Sequence, residues 1–241
     1  MASCQSGKEG NCPLSPILFT PEEALMSRAT RIMIRRNLMS LLEKEPMDDI
    51  TVRMICELSG VSRQTFYNNY YCLMSAFEDA FEEDVFGSES AQTDIRWCEI
   101  GMEKVLFYCY EHRREVLHVY NSKHCDELLI FIERLTRRMI ESGIEECMKA
   151  SGIACSERDV DFIKYFYLII FMGMTRTYLK SGIKESPYFL LSRSGVMLEH
   201  SAARSLMKLH ELEQKDASDA DVCNALQSEP IVKLFDRDLK M

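Results

Sequence analysis

The chain has 241 residues, of which 46% are hydrophobic and 28% are charged, and this balance is typical of a soluble globular protein of one or two domains. Its net charge of −9 argues against a protein that coats nucleic acid without specificity, although a small binding surface can be locally basic. The longest apolar stretch, Tyr165 to Met174, is half the length that a membrane span needs, and the ten cysteines are scattered without a Cys-x-x-Cys pair, so we expect a reduced, cytoplasmic protein.

The N-terminal part of the chain predicts a tail followed by a long helix. Residues 1–20 lack the apolar run of a signal peptide, and we expect a flexible tail there. The stretch Thr20-Pro21-Glu22-Glu23 is a capping box with proline at the first helical position, which predicts a helix to about residue 44. Arg28, Arg31 and Arg35 recur along one side of this helix, as in a DNA-facing stripe or an ordinary solvated face.

A helix-turn-helix is predicted between residues 51 and 71. Thr51 can cap a first helix, Gly60 permits the left-handed backbone of a sharp turn, and Ser62 can cap a second helix. The first helix is expected to bury three apolar side chains on one face, namely Val52, Ile55 and Leu58. In such a unit the second helix enters the major groove of DNA.

The second helix of this unit has a polar outer face. With Phe66 facing inward, Gln64 and Asn68 lie about 160° away on the helical wheel and form the edge that would face the groove. Glutamine and asparagine can form two hydrogen bonds to adenine, and arginine, as at Arg63, can do so to guanine. A solvated helix can also be polar on its outer side, but the preceding helix and the glycine turn favour DNA binding.

Several short stretches resemble the N-terminal domain of the TetR (tetracycline-repressor-type) transcriptional regulators. They are Ile50-Thr51-Val52, Leu58 to Arg63 and Thr65-Phe66-Tyr67, together with the preceding helix from Thr30 to Glu43. A weaker stretch, Phe171-Met172-Gly173 followed by Tyr178 to Gly182, resembles the end of the C-terminal domain in one branch of that family. The resemblance implies an all-α fold, in which a helix-turn-helix domain is followed by a helical bundle that dimerises.

The resemblance also implies a function and a set of binding residues. The function is sequence-specific transcriptional regulation by a homodimer on a double-stranded DNA operator, more often repression, controlled by a small-molecule effector in the C-terminal domain. Arg63, Gln64 and Asn68 are expected to read bases. The DNA backbone is expected to be held by the other polar residues of this region, namely Thr30, Arg31, Thr51, Ser62, Thr65, Tyr67 and Asn69.

One departure from the family pattern weakens the expected DNA binding. Leu73 stands where family members carry a lysine that opens the fourth helix and contacts phosphate. Between residues 21 and 80 there are seven basic against nine acidic residues. Because affinity for DNA depends largely on phosphate neutralisation, these features keep an alternative open, a regulator-like dimeric interaction module that acts through a protein or metabolite partner.

The rest of the chain predicts further helices and a four-part organisation. A connecting helix from about Leu73 to Phe86 ends at Gly87-Ser88, and the resemblance implies that it carries motion between the domains. Later helices are expected at 91–111, 114–120, 126–149, 157–180 and 186–214, of which 157–180 is apolar nearly all round and suits a bundle centre or a subunit interface. The expected parts are a tail (1–20), the DNA-binding domain (21–87), the ligand-binding and dimerisation domain (88–214) and an extension (215–241).

Other kinds of site have weaker support. Five aromatic residues could line an effector cavity or could be ordinary core, namely Trp97, Tyr108, Tyr120, Phe166 and Tyr167. His118, His124 and Cys125 lie close in sequence but lack the spacing of a zinc site, so we expect no metal and no cofactor. No nucleophile elbow, phosphate loop or paired-carboxylate motif is present, and we therefore expect no enzymatic activity.

Overall fold

The computed structural model describes residues 21–87, 97–198 and 201–215, with side chains described for 27–87, 101–198 and 201–215. Within these ranges the chain is all-α, as predicted, and no strand occurs. The helices are α1 (Pro21–Leu42), a short 3-10 turn (Met47–Asp49), α2 (Val52–Ser59), α3 (Arg63–Asn69), α4 (Leu73–Phe86), α5 (Trp97–Glu111), α6 (Arg113–Tyr120), α7 (Cys125–Ser151), α8 (Glu157–Lys180), α9 (Pro187–Leu198) and α10 (Ser201–Gln214). The predicted tail, almost all of the extension and the first residues of the predicted helix 91–111 lie outside the described residues.

Local hydrogen bonds confirm the predicted helix ends. The Thr51 hydroxyl accepts the Met54 N–H at 3.3 Å, and the Ser62 hydroxyl accepts the Thr65 N–H at 3.0 Å, so both helices of the predicted helix-turn-helix are capped by their own sequence. Gly60 ends α2 in the left-handed region, with φ 62°. The turn between α2 and α3 therefore follows from local residue chemistry.

The core of the first three helices contains Phe66 of α3 together with Ile34 and Leu38 of α1, all of which are fully buried. The prediction for α2 was wrong at one position, since Leu58 is 57% exposed while Ile55 and Ser59 are buried. The reason is rotation of the helix, since Ser59 lies 40° from Ile55 on the helical wheel whereas Leu58 lies 60° to the other side. The Ser59 hydroxyl accepts a hydrogen bond from the Asn37 amide at 2.9 Å, which compensates for its burial.

Helix α4 packs on both the helix-turn-helix and the helical bundle. Its Phe77 and Phe81 are fully buried, and the Phe81 ring lies 4.1 Å from the Tyr108 ring of α5 and 5.3 Å from the Phe131 ring of α7. The same helix packs along α1. One continuous hydrophobic core thus joins the helix-turn-helix to the bundle through α4.

The bundle is organised around the pairing of α7 with α8. Helix α5 lies on α7, α9 packs on α5, and α10 packs on α7 and α8. The helix predicted over 186–214 is described as two segments, Pro187–Leu198 and Ser201–Gln214, and residues 199–200 between them lie outside the described residues.

Helix α8 is buried on one side only. Tyr167, Phe171 and Tyr178 face the core, whereas Phe162, Tyr165, Phe166 and Ile169 are between 49% and 63% exposed. Of the two predicted environments, the bundle centre is therefore wrong, whereas the subunit interface stays a prediction because the outer face of the helix is apolar and open in the single chain. Among the described residues, no helix has the length and apolar character to cross a membrane.

Candidate nucleic-acid interface

The second helix of the helix-turn-helix, α3, presents the polar edge that the wheel predicted. Phe66 and Tyr70 anchor it, at 0% and 5% exposure. Gln64 and Asn68 are exposed, and Arg63 beside them is also exposed with no acidic partner among the described residues. Amide and guanidinium groups in this arrangement are free to bond base edges in a major groove.

The hydroxyl groups near the two helix starts serve first as caps. Thr51 and Ser62 are exposed, and each uses its side-chain oxygen to accept a backbone N–H. The hydroxyl of half-buried Thr65 lies 2.8 Å from that of Ser62. Tyr67 on the same helix is 57% exposed and its ring meets Phe66 edge-on, so its hydroxyl end is free for a phosphate. DNA contact by these residues stays a prediction.

Asn69 is held inside the protein. Its Oδ1 accepts a hydrogen bond from the Ser27 hydroxyl at 3.0 Å, and its Nδ2 donates to the Thr65 carbonyl at 2.8 Å. Both ends of the amide thus tie the last turn of α3 to itself and to α1. This geometry suits a residue that orients the recognition helix, whereas the sequence suggested only a contact with the DNA backbone. Thr30, on α1, is half-buried.

Two of the three arginines in the predicted stripe turn toward α4. Arg31 pairs with Asp79 at 2.5 Å and its guanidinium lies 5.7 Å from the centre of the Tyr70 ring. Arg35 pairs with Asp79 at 3.2 Å and with Glu83 at 3.5 Å, and its side chain is only 13% exposed. Their charges are therefore largely compensated within the protein. Arg28 is exposed.

The end of the recognition helix is fixed by a contact that sequence reasoning missed. The Tyr70 hydroxyl donates a hydrogen bond to the Asp79 carboxylate at 2.6 Å. Burial raises the pKa of Tyr70, and the bond to Asp79 raises it further, so the hydroxyl keeps its proton. The sequence shows a tyrosine and an aspartate nine residues apart, but nothing in that spacing indicates that they meet.

The start of α4 lacks a cation. Leu73 is half-buried and packs against the core, and the preceding Tyr71 is 90% exposed. The Cys72 N–H donates to the Ser75 hydroxyl at 3.1 Å, which closes the first turn. Leu73 thus offers no charge to a phosphate, and the exposed side chain at this end of the helix is that of Tyr71.

The four predicted effector-lining residues whose side chains are described do not converge on one cavity. Tyr108 is buried where α4, α5 and α7 meet, and burial raises its pKa well above the usual value. Tyr167 is buried with its hydroxyl 2.5 Å from that of Ser201, whereas Phe166 lies on the open outer face of α8. Tyr120 is half-buried at the end of α6, and the side chain of Trp97 lies outside the described residues.

An open groove lies beside Tyr108, between the end of α4 and α5. Its volume is about 560 Å³, and it is lined by both charged and aromatic side chains, among them Asp84, Lys104, Phe107, Tyr108 and His112. The groove therefore includes one of the five predicted effector residues. It is also in direct contact with the last turn of the helix that leads back to the helix-turn-helix.

Comparison with known proteins identifies the family. Residues 98–200 match a TetR family model described as "Transcriptional regulator C-terminal region". Residues 98–200 are therefore the C-terminal region of a TetR-family transcriptional regulator. The match includes the Phe171 to Gly182 stretch that resembles this family in the sequence, and the family is one of regulators rather than enzymes.

A solved structure supports the same fold for this TetR-family regulator. The dihydroxyacetone kinase operon activator DhaS aligns with a TM-score of 0.57 and 19% sequence identity, over 72% of this chain and 96% of that chain. At that identity the likeness shows the fold alone. No curated protein matches the chain significantly.

Proposed function

We propose that this TetR-family regulator binds a specific DNA operator as a homodimer and that α3 reads the bases. The observation that carries the proposal is the exposed edge of Arg63, Gln64 and Asn68 on a helix anchored by buried Phe66 and Tyr70. A short rigid helix with outward amide and guanidinium groups is what major-groove readout requires. The capped helix α2 and the Gly60 turn support this use of α3.

The open face of α8 supports the homodimer. One recognition helix offers too few base contacts for specific affinity, so two half-sites about one DNA turn apart are needed. Phe162, Phe166 and Ile169 follow one another along the exposed side of α8, and α10 runs beside that helix. An apolar stripe of this kind on a surface helix is the expected signature of a helix-helix interface.

We further propose that a small-molecule effector acts from the bundle and that the operator-bound state represses transcription. The groove between α4 and α5 is our candidate effector site. A ligand there would contact both helices where the helix-turn-helix domain (residues 21–87), called the reading domain below, joins the bundle. Phe107 and Tyr108 offer apolar surface, and Lys104 offers a charge to orient a polar group. The same fold also serves activation, since the solved relative is by its name an operon activator.

The test is a fluorescence-anisotropy titration of the purified chain against DNA fragments that flank its own coding region. We expect saturable binding to one fragment, poor competition by random DNA, and loss of the specific component in Gln64→Ala/Asn68→Ala. The matched control is Gln214→Ala, which removes an exposed amide at the end of α10, far along the chain from the reading edge. A reporter gene behind the bound fragment then separates repression from activation.

The alternative is an interaction module that acts through a protein or metabolite partner. Leu73 in place of a lysine and the internal pairing of Arg31 and Arg35 favour it, because both lower the charge available to phosphate. The alternative is supported, and operator reading contradicted, by weak DNA binding that is independent of sequence. Such binding would disappear as salt is added and would be unchanged in Gln64→Ala/Asn68→Ala.

A further inference from the structure

The Asp79 carboxylate collects three groups from two other parts of the reading domain. It accepts the Tyr70 hydroxyl at 2.6 Å and pairs with Arg31 at 2.5 Å and with Arg35 at 3.2 Å. Its side chain is 21% exposed, so these contacts are partly shielded from water. One carboxylate on α4 therefore connects the end of the recognition helix to the arginines of α1.

We propose that Asp79 is an internal competitor for DNA phosphate, which holds Arg31 and so limits the affinity of the reading domain for DNA backbone. The inference rests on the proposed function and deepens it, because it assigns the residue that sets how much positive charge the domain offers to DNA. Asp79 itself contacts no DNA and acts through Arg31.

The position of Arg31 makes it the arginine that Asp79 keeps from DNA. Arg31 lies one helical turn after Ser27, on the same side of α1, and the Ser27 hydroxyl contacts Asn69 in the last turn of the recognition helix. The Arg31 side chain is 46% exposed, whereas that of Arg35 is only 13% exposed. Arg31 is thus at the rim of the reading surface with room to reorient, and Arg35 is fixed beneath it.

Competition follows from the chemistry of the guanidinium group. Carboxylate and phosphate oxygens use the same planar set of N–H donors, so one guanidinium fork cannot serve both fully at once. An arginine already neutralised by a carboxylate also adds little to the release of counterions that drives DNA binding. While Asp79 keeps its charge, Arg31 should contribute little to DNA affinity.

The other role of Asp79, as the acceptor for Tyr70, can be separated from the charge effect. Asp79→Asn removes the negative charge but leaves an oxygen that can accept the Tyr70 hydrogen bond. Tyr70→Phe removes that hydrogen bond and leaves the charge. If charge competition sets affinity, only the first change should strengthen binding to DNA backbone.

The experiment measures binding of the full chain to a short random-sequence duplex over a series of salt concentrations. For Asp79→Asn we expect tighter binding by about three- to tenfold at low salt, and a steeper salt dependence by about 0.9 in log K against log salt for each freed arginine. The matched control is Glu82→Gln, the same charge change on α4, because Glu82 pairs with Arg138 of α7 at 2.7 Å instead of with α1. It should change affinity by less than about twofold, with no change of slope.

The double variant Asp79→Asn/Arg31→Met should return to wild-type affinity and slope. Equal gains in Asp79→Asn and Glu82→Gln, or a gain that persists without Arg31, would overturn the proposal. Should Asp79→Asn fail to fold, Arg31→Met alone decides, since the proposal requires it to weaken binding only slightly and a large loss refutes it.

The outcome is independent of whether the operator is found. Random DNA reports the competition even if no fragment binds specifically, in which case operator reading fails and the role of Asp79 stands. Specific binding with no difference between Asp79→Asn and Glu82→Gln means that operator reading stands and the role of Asp79 fails. No binding to any DNA, even by Asp79→Asn, contradicts both.

Discussion

Disruption of the outer face of α8 should separate the two protomers. Ile169 is 52% exposed in the single chain, lies midway along α8 and ends the apolar stripe that begins with Phe162 and Phe166. If this stripe is the dimer interface, Ile169→Lys places an ammonium group in each of two facing helices. By two-fold symmetry the substitution occurs twice in every dimer, so its cost is also counted twice.

The magnitude can be worked from the exposed side chains. Large apolar side chains that are about half exposed leave on the order of 100 Å² each, so the four of α8 offer roughly 400 Å² per protomer. At about 25 cal/mol per Å² this surface is worth roughly 20 kcal/mol for two protomers, against about 4–15 kcal/mol lost on association. The half of the Ile169 side chain that dimerisation would bury is worth about 1 kcal/mol in each protomer. An unpaired buried ammonium group in its place costs several kcal/mol more.

We therefore expect Ile169→Lys to raise the dissociation constant of the dimer by at least about a thousandfold, which corresponds to about 4 kcal/mol. Sedimentation velocity at micromolar concentration measures it, with wild type as dimer and the variant as monomer. The control is Ile130→Lys, because Ile130 is an equally large side chain, 65% exposed, on α7. A monomeric wild type, or dimers of unchanged stability in Ile169→Lys, would refute the assignment of this face.

Three further predictions test other parts of the structure. Leu73→Lys should tighten DNA binding by about three- to tenfold at low salt in the anisotropy assay, since it adds one cation at the start of α4, and no gain on any sequence would count against a DNA-facing α4 terminus. Gly60→Ala should lower the free energy of unfolding by about 1–2 kcal/mol, because φ is 62° at this position. Gly195→Ala should raise the free energy of unfolding by about 0.5–1 kcal/mol, because the added methyl group meets open space in exposed α9. Urea titration of both variants measures the two changes. Burial raises the pKa of Cys109 from 9.0 to about 12, so the unfolded chain loses this proton first and the urea midpoint should fall between about pH 9 and pH 12; a flat midpoint would contradict the burial of the thiol.

Local chemistry made much of the fold predictable. Thr51, Gly60 and Ser62 each act within a few residues of themselves, and the structure places all three as the sequence indicated. The same holds for the inward anchor Phe66 and the outward Gln64, because one buried aromatic fixes the rotation of a seven-residue helix. The rotation of α2 depends on a neighbouring helix instead, and no residue of α2 is a comparable anchor, so the prediction for Leu58 failed.

Contacts between distant parts of the chain could not be predicted from the sequence. Arg31 and Asp79 are 48 residues apart, and the His118 ring that meets the Leu42 carbonyl at 2.6 Å is 76 residues away from it. A basic stripe on α1 has the same sequence pattern whether its partner is phosphate or a carboxylate on α4. Only the packing of α4 along α1 decides between them.

That packing changes the meaning of the acidic balance in the reading domain. Seven basic residues face nine acidic ones between residues 21 and 80, which on a simple count argues for poor DNA binding. Asp79 and Glu57, however, are two of those acids, and each pairs with arginines of the same chain, Asp79 with Arg31 and Arg35 and the exposed Glu57 with Arg53. An acid that is already paired with an arginine repels phosphate less than a free one, and a paired arginine attracts it less.

The charge that DNA meets is therefore set by the exposed arginines that remain, Arg28, Arg36 and Arg63, none of which has an acidic partner among the described residues. Because Arg63 is expected to read a base, two phosphate contacts per protomer, by Arg28 and Arg36, would give the dimer a slope of about −4 in log K against log salt, at about −0.9 for each contact. Such a protein depends on base contacts more than a basic reader does. Its ratio of specific to non-specific affinity for DNA should then be high at moderate salt. Phosphate contacts add little affinity under those conditions, whereas the base contacts of Gln64 and Asn68 are kept.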